Sequence, residues 1–289
     1  MDVKAINETF DFRESGGVLV GPLYSGEGGT LSSHWHEELE IVYVLSGEGS
    51  LHYINGKCYD VNEKELLIIN SDFVHSVIPR GGLAAPEEPV VLVMIISASF
   101  LKCNFPSYNQ VYFTNDDRTV DVQTEALLTD IGKCVQKHAE KITDVSPADM
   151  LHRNALILEL LSRLSKTRII SRSRIDSSRS IKEINRIKEI VEFIEENYAE
   201  PLTRETVAEH FFLNRTYFSS YFKKYTGMTF TQYLTNYRLM KASDLLLHTD
   251  ETIGDIALKC GFSDHRGFIG AFRKRFDETP SHYRKNRQK

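Results

Sequence analysis

Between residues 203 and 283 the sequence writes one helical module twice. Phe218-Ser219-Ser220-Tyr221-Phe222-Lys223-Lys224 runs into Gly227-Met228-Thr229-Phe230 and Tyr233. Fifty positions on, Phe268-Ile269-Gly270-Ala271-Phe272-Arg273-Lys274 runs into Asp277-Glu278-Thr279-Pro280 and Tyr283. Apolar residues at i and i+4, two adjacent cations and then a stop encode one helix in each copy. A shorter helical stretch precedes each, Thr203 to His210 and Thr252 to Cys260. Helix, tight turn and second helix form the unit that places its second helix in a DNA major groove.

The turns agree. Asn214 and Ser263 are the expected N-caps, because their side-chain oxygens can accept the free amides of the next helix. Ala208 and Ala257 are small where the paired helices cross. Gly227, and less readily Asp277, can take the left-handed conformation that ends a helix. The second turn is one residue longer than the first.

Residues 185–286 resemble the DNA-binding domain of the AraC/XylS family of bacterial transcription regulators. The resemblance lies in Ile253-Gly254-Asp255-Ile256-Ala257, Gly261-Phe262-Ser263-Asp264, Phe268, Phe272-Arg273-Lys274, Thr279-Pro280 and Tyr283-Arg284. It implies two helix-turn-helix units joined by one long helix and reading adjacent turns of the groove. Here that helix runs from about Phe230 to Leu247, where Tyr233, Leu234, Tyr237, Leu239, Met240, Leu245 and Leu246 suit a buried stripe.

At 289 residues about two domains are expected. The net charge of −5 hides an asymmetry. Residues 1–165 hold 12 Lys and Arg against 24 Asp and Glu, while residues 202–289 hold 15 against 9. Phosphate repels the first part and attracts the second. Cys58, Cys103, Cys134 and Cys260 are scattered, which speaks against a zinc ribbon or disulfide framework and for a reduced, cytoplasmic setting. No apolar run is long enough to span a membrane.

The N-terminal half reads as β-structure. Glu40 to Leu45 is β-branched and aromatic. Ser50 to Ile54 and Lys57 to Val61 flank Asn55-Gly56, a strong hairpin signal. Leu66 to Ile69, Val74 to Ile78 and Val90 to Ile96 are further short strands, and together they predict a sandwich or barrel. Helices are expected over Val120 to Lys141 and over Pro147 to Ser165, the latter with Met150, Leu151, Leu158, Leu161 and Leu164 on an apolar face. The Leu158 and Leu161 face is the expected subunit contact. Residues 166–180 are rich in Ser and Arg without apolar period, so a flexible linker is expected there. A helix restarts from Ile181 to Tyr198.

Gly28, His34-Trp35-His36, Glu40 and Gly47 match the first cupin motif at every spacing. Two imidazoles two positions apart on a strand face one way, and a carboxylate can join them around a metal. His75 is placed for the second motif, but Lys64, Asn70 and Asp72 stand where that motif has Gly, Pro and Gly. The resemblance implies an effector-sensing, dimerising cupin-like domain. Two readings of His34, His36, Glu40 and His75 stand open: a polar effector pocket without cofactor, and a divalent-metal site.

Recognition helices present their N-terminal outward positions to bases. With Phe218, Tyr221 and Phe222 inward, Arg215, Thr216, Ser219 and Ser220 face out. With Phe268 and Phe272 inward, His265, Arg266 and Ile269 face out, beside Gly270. Gly267 and Gly270 weaken the second helix, so the first unit is expected to read bases more specifically.

The expected fold class is therefore α+β in several domains. An N-terminal cupin-like β-barrel with helices 120–165 occupies residues 1–165, and an all-α domain with two helix-turn-helix units occupies residues 181–289. The expected function is a homodimeric transcription regulator that binds double-stranded DNA under a small-molecule effector, a sugar by family analogy. The alternative is a cupin metalloenzyme with a fused helical interaction module. The regulator requires sequence-specific, salt-dependent DNA binding, and the enzyme requires stoichiometric metal and turnover.

Overall fold

A computed structural model describes residue 12 and residues 15–23, 31–47, 49–79, 91–136, 146–174 and 178–287. The chain divides into two compact units whose main bodies are Trp35–Ile184 and Asn185–Lys289. No helix among the described residues is long and apolar enough to cross a membrane.

The first unit is built on eight strands in two four-stranded sheets. They are β1 (Val18–Leu23), β2 (Leu31–His34), β3 (Leu39–Val44), β4 (Ser50–Ile54), β5 (Lys57–Val61), β6 (Leu66–Ile69), β7 (His75–Pro79) and β8 (Val91–Ile96). One sheet has the order β1-β8-β3-β6 and the other β2-β7-β4-β5. Alternation along β3 sends its side chains to both faces of the first sheet, and every one of them is buried. Val42 and Val44 pack with Leu67 and Ile69 against Ile54 and Val61 of the second sheet. Ile41 and Tyr43 join Leu66, Ile68, Leu92 and Met94 on the opposite face, beneath helices. The β4–β5 hairpin turns at Asn55 and Gly56, with φ of 46° and 81°, as the Asn-Gly pair predicts.

Those helices are α1 (Ala98–Asn104), α2 (Val122–Gln136) and α3 (Pro147–Thr167). Ser146 caps α3 by accepting from the Asp149 amide, and Pro147 occupies its first turn. The buried side of α3 is Ile157, Leu160, Leu161 and Leu164. This corrects one expectation: Leu161 belongs to the core, and the outward apolar residues are Leu151, 66% exposed, and Leu158, 36% exposed.

The expected linker over 166–180 is also corrected. The end of α3 takes residues 166 and 167, and β10 (Ile169–Ser171) pairs antiparallel with β9 (Val111–Phe113). Arg168 is buried and donates to the Leu66 and Thr119 carbonyls, and the Arg172 guanidinium lies 4.4 Å from the Tyr112 ring centroid. Composition suggested a tether because a three-residue strand is too short to show a period, and Arg168 and Arg172 beside it are spent on carbonyls and an aromatic ring.

The second unit is all helix: α4 (Ser178–Glu196), α5 (Arg204–His210), α6 (Arg215–Thr226), α7 (Phe230–His248), α8 (Ile253–Lys259), α9 (His265–Phe276) and α10 (Pro280–Arg287). Asn214 caps α6 as expected. The α9 cap is Asp264 rather than Ser263, because its carboxylate reaches the Arg266 and Gly267 amides together. Gly227 and Asp277 end the two recognition helices with φ of 77° and 58°. Buried Phe218 and Phe222 pack on Phe230, and Phe222 also meets Tyr233. Phe268 and Phe272 pack with Phe276 and Tyr283 around Leu239, Ala242 and Leu246. The repeat in sequence is thus a repeat in packing. It breaks in the turns: Gly261 is left-handed in the second, and the first puts Phe212 there with φ of 53° and 95% exposure. A bulky residue in that region carries strain of about 1–2 kcal/mol.

Candidate functional sites

Helices α6 and α9 place the DNA-reading candidates. Arg215, Thr216 and Ser220 are exposed at the start of α6, as are His265 and Arg266 on α9. Ser219 and Ile269 are half-buried, and Ile269 packs against the core of the second module. Its remaining surface can meet a thymine methyl but not much more. The Ser219 hydroxyl donates to the Arg215 carbonyl, and that of Ser220 donates to the Thr216 and Tyr217 carbonyls. With their protons used inside the helix, both hydroxyls offer lone pairs outward, suited to the amino groups of adenine or cytosine. A Cβ added at Gly270 would meet open space. The sequence reading passed over Tyr217, 46% exposed at the start of α6 and stacked on Tyr221 with centroids 5.5 Å apart. The signal was available: an aromatic beside core Phe218, one helical turn from Tyr221.

The four cupin-motif residues come together. His34, His36, Glu40 and His75 each place one ligand-type atom so that all lie within 4.8 Å of one another. Gly28 lies outside the described residues. Glu40 shares its face of β3 with Val42 and Val44, so its carboxylate enters the space between the sheets. His75 opens β7 opposite Ile54 and lines the same space. The second motif keeps its backbone without its glycines. Lys64 and Asp72 stand at two motif glycine positions with φ of 63° and 65°, and the Asp72 amide donates to the His36 carbonyl. That is why His75 still arrives.

The electrostatics are pointed. His36 Nδ1 faces the Glu38 carbonyl at 3.2 Å and His75 Nδ1 faces the Phe73 carbonyl at 2.9 Å. Carbonyls only accept, so the Nδ1 atoms carry protons. Both Nε2 atoms then face one Glu40 oxygen, each at 3.2 Å. Lone pairs converging on a carboxylate repel unless a shared proton or a cation lies among them. Burial pushes the Glu40 carboxyl up, but once His36 and His75 are protonated at Nε2 as well, their hydrogen bonds and positive charge outweigh it and hold it well below the usual carboxylate range. The donor set of nitrogen and carboxylate oxygen fits a divalent transition metal.

A fifth polar residue escaped the sequence reading. His52 is buried on β4, with Nε2 at 2.8 Å from Ser50 Oγ and Nδ1 without a hydrogen-bond partner. Burial depresses its pKa to about 4, so it is neutral at ordinary pH. The alternation Ser50, His52, Ile54 was its signal.

Comparison with known proteins follows the same division. Residues 207–286 match a helix-turn-helix domain family and residues 25–96 match a cupin domain family. The transcriptional activator RhaS of Klebsiella pneumoniae is 28% identical over 265 residues, covering 88% of this chain and 87% of its own. The HTH-type transcriptional regulator YdeC of Bacillus subtilis is 25% identical over 266 residues, covering 89% and 87%. Among solved structures, the C-terminal domain of the response regulator YesN from Fusobacterium nucleatum is 38% identical. That match covers 35% of this chain and 98% of that domain, with a TM-score of 0.34. With a helix-turn-helix match, a cupin match ahead of it and curated transcription regulators aligned over 87% of their own length, the chain is similar to transcription regulators of the AraC/XylS kind that its sequence resembles.

Proposed function

We propose that this chain activates transcription by binding a specific duplex through α6 and α9 while its cupin domain senses a small molecule. The observation that carries the reading is the pair of equivalent helices whose aromatic faces are spent on packing, leaving polar N-terminal positions outward. The name of RhaS, an activator, supports activation. Arg215→Ala should cost about 1–3 kcal/mol on a duplex selected from random sequence, and much less on a scrambled one. Equal losses on both would reduce Arg215 to a phosphate contact. Failure to select any duplex would end the regulator reading in favour of an enzyme with a fused interaction module.

Assembly is proposed to use the outward side of α3. Leu151, Ala155 and Leu158 recur one helical turn apart on its exposed side. Leu151→Glu with Leu158→Glu should give folded monomers by ultracentrifugation. Leu161→Glu should unfold the cupin domain instead, since it buries an unpaired charge. A wild type that sediments as a monomer at micromolar concentration would refute the dimer.

A second reading of the cupin site is favoured by the acceptor-to-acceptor geometry: His34, His36, Glu40 and His75 would hold a divalent transition metal. Bound there, it would supply a positive centre to polarise an oxygen-bearing effector. The expected result is about one equivalent of metal in protein prepared with added zinc, nickel or manganese, lost in Glu40→Gln. Less than about a tenth of an equivalent leaves only the polar pocket, whose effector by family analogy is a sugar.

A further inference from the structure

We propose that Glu205 is a positioning residue for base readout, holding Arg215 for the groove and withholding it from phosphate. The inference rests on the reading of α6 as a recognition helix and deepens it. Glu205 lies in the first turn of α5, ahead of the turn that leads to α6. Its Oε1 accepts from Arg204 Nη2 at 2.9 Å and Nε at 3.3 Å, and stands 3.6 Å from Arg215 Nη1. One carboxylate oxygen thus serves two guanidinium groups that belong to successive helices. The Arg204 hydrogen bonds hold the carboxyl below its usual range, so it is ionised whenever the protein meets DNA.

The consequence follows from donor counting. A guanidinium has five N–H donors in a rigid fork, and Glu205 faces one nitrogen of Arg215. The other nitrogens remain able to make the bidentate contact to guanine O6 and N7. A phosphate can take the same fork through two of its oxygens, but unlike the neutral guanine edge it carries a full negative charge. It competes with Glu205 for the same charge and is repelled by the carboxylate. Holding a long, exposed side chain in one direction also lowers the entropy lost when it docks. Glu205 therefore penalises the sequence-independent mode and spares the sequence-specific one. The second module lacks the device: with Thr203 and Thr252 aligned as N-caps, Gly254 stands in the place of Glu205.

The test uses the full chain, a duplex that the wild type selects from random sequence, and a scrambled duplex of the same composition. Affinities are read by fluorescence anisotropy. Glu205→Gln should tighten the scrambled duplex and leave the selected one unchanged or weaker, so the ratio of affinities falls about fivefold, the scale of an exposed ion pair. Glu209→Gln, which removes the same charge from α5, should tighten both duplexes alike. Because Glu205 is only half-buried and glutamine keeps its shape, the variant's thermal unfolding should match the wild type. Equal tightening of both duplexes by Glu205→Gln overturns the proposal while leaving the recognition helix intact. An Arg215→Ala protein that keeps its full affinity ratio overturns both together.

Discussion

Raising the salt from about 50 to about 200 mM is expected to weaken binding of the full chain to its selected duplex by about a thousandfold. That loss corresponds to about six phosphate contacts, each releasing condensed counterions. Residues 202–289 hold 15 Lys and Arg, and besides Arg215 several lie exposed on the recognition helices: Lys223, Lys224, Arg266, Arg273 and Lys274. The acidic first half, with 24 Asp and Glu against 12 Lys and Arg, contributes no such contacts and steers phosphate away from the cupin domain. A titration in potassium glutamate followed by anisotropy gives the slope directly. A loss below about tenfold would mean that the helical unit does not lie along a phosphate backbone at all.

Glu195→Gln is expected to stabilise the protein at pH 8 by about 3 kcal/mol and to change little at pH 4. Glu195 on α4 is 3% exposed and accepts from the hydroxyl of Tyr233 on α7, while its Oε2 has no hydrogen-bond partner. Burial raises its carboxyl to about 7, against 4.5 for a solvated glutamate. The folded protein therefore keeps a proton that the unfolded chain gives up. The stability tied to that proton is complete below pH 4.5 and lost as pH rises through 7. Glutamine keeps the acceptor for the tyrosine and has no charge to bury. The difference between variant and wild type in urea unfolding, taken at each pH, isolates this group. A difference that stays flat from pH 4 to pH 8 would show Glu195 ionised and solvated in the folded protein.

The four cupin residues were legible because a strand's period of two carries His34 and His36 to one side, and the motif spacing adds Glu40 and His75. His52 was not legible in the same way. It lies on β4, opposite Val77 of β7, and only that pairing brings it between the sheets near Glu40 and His75. The departures at Lys64 and Asp72 looked like loss of the second motif. The backbone there is left-handed all the same, since the Asp72 amide is held by the His36 carbonyl and a non-glycine residue can accept that strain when its surroundings demand it. Ser263 was the expected cap of α9, and the cap is Asp264 because its carboxylate reaches two amides.

By itself, the sequence determined the repeated module and its helices, the Asn214 cap, six of the strands with the Asn55-Gly56 hairpin, and the convergence of His34, His36, Glu40 and His75. These are matters of short-range period, side-chain chemistry and spacing, which a chain carries wherever it goes. Tertiary structure alone decided which leucines of α3 are core and which are surface, since Leu158 and Leu161 lie on one apolar stripe until the first sheet takes Leu161. It decided that Ser-rich, Arg-rich residues 166–174 close a two-stranded sheet, because Arg168 and Arg172 find carbonyls and a ring that are distant in sequence. It also decided that Glu205 meets Arg215: they are ten positions apart on two helices, and only the turn between α5 and α6 brings the carboxylate to the guanidinium.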